Sequence, residues 1–273
     1  MATIYRYKDK DTMLTHILDM SPNPDHFRMH SHTTVELYCF LRGKGVFHVE
    51  GSAYPMEPGD LLLLAPAEAH CIELDYSQPY ERIVLNFNPT FFQALDPENL
   101  LIRSIFDRKF GTLNLYRAYE FSEGGSAQYF RAMMEQEGKP RLNLITGLMN
   151  ILNQLSRIHA QRSVSTDHEP ETPEYRIIRY INQNLNKHIT LDLLCKQFYI
   201  SKSQLCRMIK HATGTSVGHY ITVKRLTKAQ QLLLAGEQPT HVFSRCGFND
   251  YSVFYRAYVK HFGHAPTAQP QTA

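Results

Sequence analysis

This chain of 273 residues is 43% hydrophobic and 20% charged, with a formal net charge of +3. The composition is ordinary for folded domains and the length allows two of them, which excludes a chain that is disordered throughout. Charge is divided unevenly, because residues 1–173 hold 16 basic and 22 acidic side chains, whereas residues 174–273 hold 13 and 4. Such a local basic excess is typical of a domain that binds a polyanion.

Membrane insertion and export are not expected. The longest aliphatic run, Leu61 to Ala65, is far too short to cross a bilayer, and the first residues, MATIYRYKDKDT, contain no apolar signal core. The five cysteines include no C-x-x-C pair, which favours reduced thiols over a disulfide framework. We therefore expect a cytoplasmic protein with no membrane segment.

From about residue 15 to 87, short strands alternate with turn residues. The runs VELYCFL, VFHVE and LLLLAP are separated by RGKG, by GS and by a Pro-Gly-Asp turn at 58–60. Closely spaced strands with tight turns predict a small antiparallel barrel or sandwich.

Two segments of this region carry chemistry. The first is His30-x-His32-x-x-x-Glu36, and the second runs from Gly59-Asp60 through Pro66 to His70. On one extended strand, positions 30, 32 and 36 share a face, and His70 would arrive from another strand. We assign these four side chains, together with Tyr38, to one effector pocket.

The spacing of these residues resembles the two conserved motifs of the cupin barrel, in which three histidines and one glutamate line the mouth and often hold a divalent metal. By that resemblance, His30, His32, Glu36 and His70 are candidate ligands of iron, manganese, nickel or zinc. Two alternatives stay open. The pocket could bind an organic effector such as a sugar without metal, or the histidines could have only a structural role.

Residues 91–162 change to a helical period. In the run RLNLITGLMNILNQLSRIHAQR, apolar residues recur every three or four positions from Leu142 to Ile158, which predicts a long amphipathic helix. Its apolar stripe either packs on its own barrel or also meets a second subunit, which would make the protein a homodimer. The following stretch, SVSTDHEPETP at 163–173, is polar with two prolines, as expected of a linker.

The basic region contains one helical device twice, over residues 190–214 and 240–263. Each copy has a threonine suited to capping, a short helix, a tight turn and a second helix, which is a helix-turn-helix outline. Shifted by 49 positions, the second helices superimpose Ser203 on Ser252 and Arg207 on Arg256. An internal repeat of this kind indicates a duplicated function.

A connecting helix is predicted between the two copies, at residues 219–235. At 1.5 Å per residue it is roughly 26 Å long. One turn of duplex DNA advances about 34 Å, so this helix and its flanking turns could set two recognition helices into successive major grooves.

Three motifs of this region resemble the AraC-type transcription regulators: L-C-R-M-I-K-x-x-x-G, Y-I-x-x-x-R-L-x-x-A-x-x-L-L and G-F-N-D-x-S-x-F-x-R-x-Y-x-K-x-F-G-x-x-P. The resemblance implies an α+β two-domain protein. A cupin-like N-terminal β-barrel with helices, the effector-binding domain, would occupy residues 1–162, and its C-terminal helices would mediate dimerisation. A linker would follow at 163–173, and an all-α tandem helix-turn-helix domain at 174–273.

The same resemblance assigns DNA contacts by motif position. Base-reading positions are Ser203, Cys206, Arg207, Tyr251, Ser252, Tyr255 and Arg256, and phosphate contacts are Lys202, Lys210, Lys224, Arg225 and Lys260. For Lys224 and Arg225 an equal alternative is that they are solvated or brace the connecting helix. The chain departs from the family at Pro239 and Phe243, where a β-branched aliphatic residue and alanine are usual. A cysteine is a weak hydrogen-bonding group, so Cys206 predicts looser specificity in the first unit.

These features predict a sequence-specific transcription regulator that binds double-stranded DNA, is controlled by a small-molecule effector in the barrel, contacts RNA polymerase and is not an enzyme. One alternative is a cupin metalloenzyme with an appended helical nucleic-acid-binding domain, which the His/His/Glu/His set alone permits. Another is a nonspecific nucleoid-type binder. The duplicated basic helix-turn-helix favours the regulator.

Overall fold

The computed structural model describes residues 2–88, 91, 96, 108, 110–121, 125–135, 139–163, 172–234 and 236–267. Most of the predicted linker at 163–173 lies outside the described residues. The α+β two-domain prediction is confirmed, with a sheet-rich N-terminal region and a helical C-terminal region.

Within the described residues, nine strands form two antiparallel sheets. They are β1 (Ala2–Lys8), β2 (Thr12–Asp19), β3 (Val35–Arg42), β4 (Gly45–Val49), β5 (Ser52–Met56), β6 (Leu61–Leu64), β7 (His70–Leu74), β8 (Tyr80–Phe87) and β9 (Leu115–Tyr116). The larger sheet has the order β1-β2-β8-β3-β6-β9, and the smaller one β5-β4-β7. The strands predicted from VELYCFL, VFHVE and LLLLAP are confirmed.

Strand β3 is apolar at almost every position because both of its faces are covered. Leu37 and Cys39 face outward, into the core shared with the helices of the barrel domain. Tyr38 and Phe40 face inward, into the core between the two sheets. A strand covered on both sides reads as a continuous hydrophobic run, unlike the alternating pattern of a half-exposed strand.

Eight α-helices of seven to 24 residues lie in the described chain. They are α1 (Ala127–Met133), α2 (Pro140–Ser163), α3 (Pro173–Gln183), α4 (Leu191–Phe198), α5 (Lys202–Thr213), α6 (Val217–Leu234), α7 (Pro239–Arg245) and α8 (Tyr251–Phe262). Among them, no helix combines the length and apolarity that a membrane crossing requires.

The long helix α2 covers its apolar stripe with its own barrel. Six residues of the stripe are buried against the outer face of the larger sheet: Leu144, Leu148, Ile151, Leu152, Leu155 and Ile158. Leu142 and Met149 stay 55% and 36% exposed. Packing within the chain therefore accounts for most of the stripe, and the second subunit stays a prediction.

Helix caps set the limits of the two helix-turn-helix units. Thr190 Oγ1 accepts a hydrogen bond from the N–H of Leu193 at 3.1 Å, and Asp250 Oδ1 accepts one from Val253 at 2.9 Å. The Asp250 cap agrees with the prediction for the second copy, whereas the threonine cap predicted there at Thr240 was wrong, because Thr240 lies inside a helix. Helix α7 begins at Pro239 after Gln238, since proline suits a first helical position, where the N–H has no helical partner.

The connecting helix α6 contributes to two separate cores. Its first half packs with α3, α4 and α5, and Tyr220 and Val223 are buried there. Its second half packs with α7 and α8 through Leu226 and Ala229. The predicted connector is thus confirmed up to residue 234, and residue 235 lies outside the described residues.

We expect Leu148→Ala to lower the free energy of unfolding by roughly 2–5 kcal/mol, because it opens a cavity between α2 and the barrel. Asn153→Ala, at an exposed position of the same helix, is the control and should stay within about 0.5 kcal/mol. Chemical denaturation followed by circular dichroism measures both. A loss below about 0.5 kcal/mol for Leu148→Ala would contradict the packing described for α2.

Candidate functional site

The two histidine segments meet at the mouth of the barrel. His30 and His70 form an isolated antiparallel bridge, in which each backbone N–H donates to the other's carbonyl at 3.0 and 2.9 Å. His70 is the first residue of β7, whereas residues 31–34 are not in a strand. Residues 30–36 are therefore not one uninterrupted strand, which was the condition for a shared face, although the side chains do converge.

Three imidazoles face one another at this mouth. The ring centroids of His30 and His70 are 4.4 Å apart, and those of His32 and His70 are 5.1 Å apart. One nitrogen of each ring lies within 4.8 Å of the corresponding nitrogens of the other two. Glu36 reaches the same group, with its Oε2 at 2.9 Å from His32 Nε2. His70 is buried and His30 is exposed, so the cluster opens to solvent on one side.

Backbone carbonyls fix the orientation of each imidazole. His30 Nδ1 lies 2.9 Å from the carbonyl oxygen of Arg28, and His70 Nδ1 lies 2.8 Å from that of Glu68. His32 Nδ1 lies 2.9 Å from the carbonyl oxygen of Thr34. A carbonyl can only accept, so Nδ1 carries the proton in all three rings. This leaves Nε2 of His30 and His70 as the atoms that these rings can offer to a ligand, whereas Nε2 of His32 donates to Glu36.

Burial and charge act against each other within the cluster. Burial lowers the pKa of His70 well below its usual value, and the neighbouring His30 lowers it further. For His32, burial also lowers the pKa, but the hydrogen bond and charge of Glu36 outweigh it and raise the pKa. Burial raises the pKa of Glu36, but His32 outweighs that effect and the pKa falls to about 2. The cluster therefore combines an ion pair with a neutral buried imidazole.

The pocket continues into the barrel below the histidines. The Tyr38 ring contacts Phe47 at 4.9 Å between centroids, and the Phe47 ring stacks on His70 at 5.9 Å. Tyr38 Oη and His70 Nε2 are buried and make no hydrogen bond with any described residue. Unsatisfied buried polar atoms are rare in folded proteins, and they are expected where a ligand completes the hydrogen bonding.

Sequence reasoning missed Arg82, whose side chain also points into the barrel. Its guanidinium carbon lies 4.8 Å from the centroid of the Tyr80 ring and 5.4 Å from that of Phe27. Its Nη1 is buried without a hydrogen-bond partner among the described residues. The signal was available in the strand YERIVLNF, where alternation puts Tyr80, Arg82 and Val84 on one face.

The recognition helices α5 and α8 present the predicted DNA-reading faces to solvent. Ser203, Cys206 and Arg207 are exposed on α5, and so are Ser252, Tyr255 and Arg256 on α8. Lys210 and Lys260 are exposed in the last turns of these helices, and Lys202 is exposed at the start of α5. Two of these lysines have acceptors on the surface, because Lys202 pairs with Asp192 at 2.7 Å and Lys210 donates to the carbonyl of Gly214.

Comparison with known proteins identifies both halves of the chain. A family model described as the AraC-like ligand binding domain matches residues 13–163, and one described as a helix-turn-helix domain matches residues 194–269. The first match covers more than half of the chain. The chain belongs to the AraC family. It is a transcription regulator that joins a ligand-binding barrel to a helix-turn-helix DNA-binding domain.

Curated relatives of this AraC-family chain carry the same two regions. The HTH-type transcriptional activator RhaS of Mannheimia succiniciproducens is 24% identical over 258 residues, covering 92% of this chain and 91% of the relative. RhaS of Escherichia coli is 23% identical over 242 residues, covering 88% and 86%. Among solved structures, ToxT of Vibrio cholerae is 10% identical over 94% of this chain and 97% of that chain, with a TM-score of 0.43.

Two of the phosphate contacts predicted for this AraC-family chain need correction. Lys224 is buried, and its Nζ donates to Glu50 in the barrel and to the carbonyl of Ala67. Arg225 Nε donates to the carbonyl of Leu185 at 2.9 Å, and its Nη2 donates to that of Lys187 at 2.7 Å. Lys224 is therefore too buried to reach a phosphate here, and Arg225 braces the segment 185–187 instead.

Tyr251 and Phe243 pack against each other in the second unit. Their ring centroids are 5.7 Å apart in an edge-to-face arrangement, and Tyr251 also contacts Phe254 at 5.9 Å. The unusual phenylalanine is thus accommodated by an aromatic partner on α8. Tyr251 is half-buried, which gives it a packing role beside its predicted role in reading bases.

A cleft of about 650 Å³ separates the barrel from α5. It is lined by Glu73, Cys206, Arg207, Lys210, His211, Ser216 and Val217. Predicted DNA contacts therefore share one cleft with an acidic side chain of the barrel strand β7.

We expect Lys260→Ala to reduce the slope of log affinity against log salt concentration by about 0.9, as the loss of one phosphate contact predicts. Arg225→Met should leave the slope unchanged. It should instead lower the free energy of unfolding by roughly 1–3 kcal/mol, because the part-buried carbonyl of Leu185 and the exposed carbonyl of Lys187 lose a charged donor. Fluorescence anisotropy at several salt concentrations measures the slopes. A reduced slope for Arg225→Met would restore the original assignment.

Proposed function

We propose that this AraC-family chain is a one-component regulator in which a small molecule bound at the barrel mouth controls the binding of two recognition helices to DNA. One observation carries the proposal. The three convergent imidazoles lie beside α6, the helix that joins both helix-turn-helix units. Ser31, between two of these histidines, is hydrogen-bonded to Thr227 of α6. A ligand at the mouth would thus sit next to the element that orients both DNA-reading units.

The chemistry of the pocket supports an effector with several hydrogen-bond acceptors. Arg82 Nη1 is a hydrogen-bond donor and Tyr38 Oη can act as one. Both are buried in the barrel and have no hydrogen-bond partner among the described residues. The aromatic rings of Phe47 and Tyr80 supply apolar surface beside them. A sugar or a hydroxy acid combines oxygens for the donors with a carbon skeleton for the rings. This is the organic effector class that we favour.

A divalent transition metal is the second candidate ligand, and the imidazole orientation supports it. Because every Nδ1 donates to a backbone carbonyl, Nε2 of His30 and His70 can offer lone pairs, and Nε2 of His32 could join them if a metal displaced its proton from the bond to Glu36. Glu36 would supply an oxygen, and such a nitrogen and oxygen set suits iron, manganese, nickel or zinc. The ion would act as a Lewis acid that polarises an oxygen of the effector.

We infer that one subunit reads two successive major grooves. Helix α6 has 18 residues and is therefore about 27 Å long, which together with its flanking turns suits the advance of about 34 Å per turn of DNA. The base-reading set comprises Ser203, Cys206, Arg207, Tyr251, Ser252, Tyr255 and Arg256. The phosphate set keeps Lys202, Lys210 and Lys260.

Further proposals concern partners and location. The exposed Leu142 and Met149 on α2 support a homodimer through this helix. The curated relatives are named as activators, which supports a contact with RNA polymerase, a cytoplasmic location and a binding function without catalysis.

We predict that Arg256→Ala costs about 1–3 kcal/mol of binding free energy on a specific site and relaxes the preference at one base pair. The reason is that an arginine on the exposed face of α8 can make a bidentate contact with guanine. The site is first selected from a random duplex library, and anisotropy titrations then compare selected and random DNA. Arg157→Ala, an exposed arginine on α2, is the control and should behave like wild type. Equal losses on both DNAs would refute base reading by Arg256.

The metal alternative predicts that the full chain binds one zinc ion per subunit in isothermal titration calorimetry. His70→Ala should lose this binding, because it removes a buried ligand at the centre of the cluster. His188→Ala, at an exposed histidine outside the cluster, should bind like wild type. No uptake by the wild-type chain would retire the metal candidate and leave the organic effector, which a thermal-shift screen of sugars and hydroxy acids tests.

A further inference from the structure

Strands β3 and β8 share an inward face of the barrel. Their register pairs Tyr38 with Val84 and Phe40 with Arg82, and residues directly opposite each other lie on the same face of a sheet. Tyr80 is two residues from Arg82 on β8, so it lies on this face as well. Tyr38 and Arg82 are therefore diagonal neighbours, with Tyr80 beside Arg82, and both tyrosines belong to the core between the two sheets.

Three side chains on this face have buried hydrogen-bonding atoms without a partner. They are Tyr38 Oη, Tyr80 Oη and Arg82 Nη1, for which no described residue supplies an acceptor. Tyr38 and Tyr80 are only 4% and 1% exposed, so bulk water does not reach their hydroxyls. Burial raises the pKa of Tyr80, which keeps its hydroxyl protonated and able to donate. One unsatisfied buried group is already uncommon, and three neighbouring donors indicate a missing acceptor.

Arg82 also carries a positive charge that no carboxylate of the described residues balances. Glu81 and Glu36, which lie on the same two strands, are each paired with a histidine, at 2.7 and 2.9 Å. The guanidinium carbon lies 4.8 Å from the centroid of the Tyr80 ring and 5.4 Å from that of Phe27. Aromatic faces hold a guanidinium group and leave its in-plane N–H donors for other partners. Such a group is suited to bind an anion.

The histidine end of the barrel has the opposite requirement. His70 Nε2 is buried there and has no hydrogen-bond partner among the described residues. Because His70 Nδ1 donates to the carbonyl of Glu68, Nε2 is an acceptor that needs a donor. The two ends are well separated, since Glu36 beside the histidines is four residues from Phe40, the partner of Arg82, which is about 13 Å along β3.

Aromatic side chains connect the two ends. The Phe47 ring lies 4.9 Å from the ring of Tyr38 and 5.9 Å from that of His70, as centroid distances. The Phe40 ring lies 5.9 Å from the ring of Tyr80. Apolar ring faces suit the carbon skeleton of a small ligand, and a few polar groups then fix its orientation. The arrangement fits a skeleton with different polar groups at its two ends.

We propose that the effector is a sugar acid, an aldonate or a uronate, whose carboxylate is bound by Arg82 and Tyr80 while its hydroxyl groups reach Tyr38 and His70. The inference rests on the proposed function, because it names the chemical class of the ligand at that site. A carboxylate accepts two parallel hydrogen bonds from arginine. A hydroxyl group can donate to His70 Nε2 and accept from Tyr38 Oη. An inorganic anion would occupy the Arg82 end alone, and a neutral sugar would leave the cation without a counter-charge.

The first test is isothermal titration calorimetry of the full chain. The probes are glucuronate, galacturonate, gluconate and galactonate, with glucose and galactose as neutral counterparts. We expect at least one acid to bind about 10- to 150-fold more tightly than its neutral counterpart, the factor that a hydrogen bond to a charged group implies. Equal or tighter binding of the neutral sugar would overturn the proposal. Binding of none of the four acids would also overturn it. This comparison does not depend on the folding of any variant.

The second test uses variants of the carboxylate end. Arg82→Met keeps an apolar contact with the rings but removes the charge, and should weaken binding of the acid by about 10- to 150-fold. Tyr80→Phe removes a neutral donor and should weaken it by about 2- to 12-fold. Arg42→Met, at an exposed arginine on β3, is the matched control and should bind like wild type.

The melting temperature of the ligand-free chain separates ligand binding from a structural role. Arg82→Met should stay within about 4 °C of wild type, because it removes a cation that has no internal counter-charge. A larger fall in melting temperature together with unchanged acid affinity would show that Arg82 is structural and overturn the proposal.

DNA binding distinguishes this inference from the proposed function. If a sugar acid binds through Arg82 but leaves the affinity for the selected duplex unchanged, the ligand class stands and the regulatory role fails. If a neutral sugar changes the DNA affinity while none of the acids binds, the regulatory role stands and the ligand class is overturned.

Discussion

The structure depends on the burial of helix α6 on three sides. Its first half completes the core of the first helix-turn-helix unit, and its second half completes the core of the second. Its remaining face, with Tyr220, Lys224 and Thr227, lies against the barrel mouth. A helix held in this way cannot rotate or shift without disturbing both DNA-reading units. A change at the barrel mouth that shifts α6 would therefore displace both units.

The three contacts of α6 differ in chemistry. Within the DNA-binding domain the contacts are aromatic and aliphatic, so they resist opening because apolar surface would be exposed to water. Towards the barrel, α6 adds hydrogen-bonded and ion-paired groups through Tyr220, Lys224 and Thr227. These polar contacts lie beside an apolar one, in which Met29, Ala69 and Cys71 of the barrel join the core of the first helix-turn-helix unit.

Some features of the pocket follow from the sequence pattern, and others depend on how the chain folds around it. The residue types and spacing of His30, His32, Glu36 and His70 were sufficient to predict that they converge. The sequence did not reveal that backbone carbonyls of Arg28, Thr34 and Glu68 accept from every Nδ1, since carbonyl positions depend on the path of the chain. Arg82 was recognisable only by its alternation with Tyr80 on β8, a pattern that many surface strands share.

By itself, the sequence determined the two-domain α+β architecture, the two helix-turn-helix units, the connecting helix and the family, because these follow from local periodicity and from motifs of contiguous residues. Only the tertiary structure revealed that Lys224 and Glu50 form a buried ion pair. A lysine on a basic helix resembles a phosphate contact, and a glutamate beside a hairpin turn resembles a solvated residue. Their pairing joins positions 174 residues apart. No local pattern encodes which surface of α6 faces the barrel, because packing of the whole domains sets that orientation.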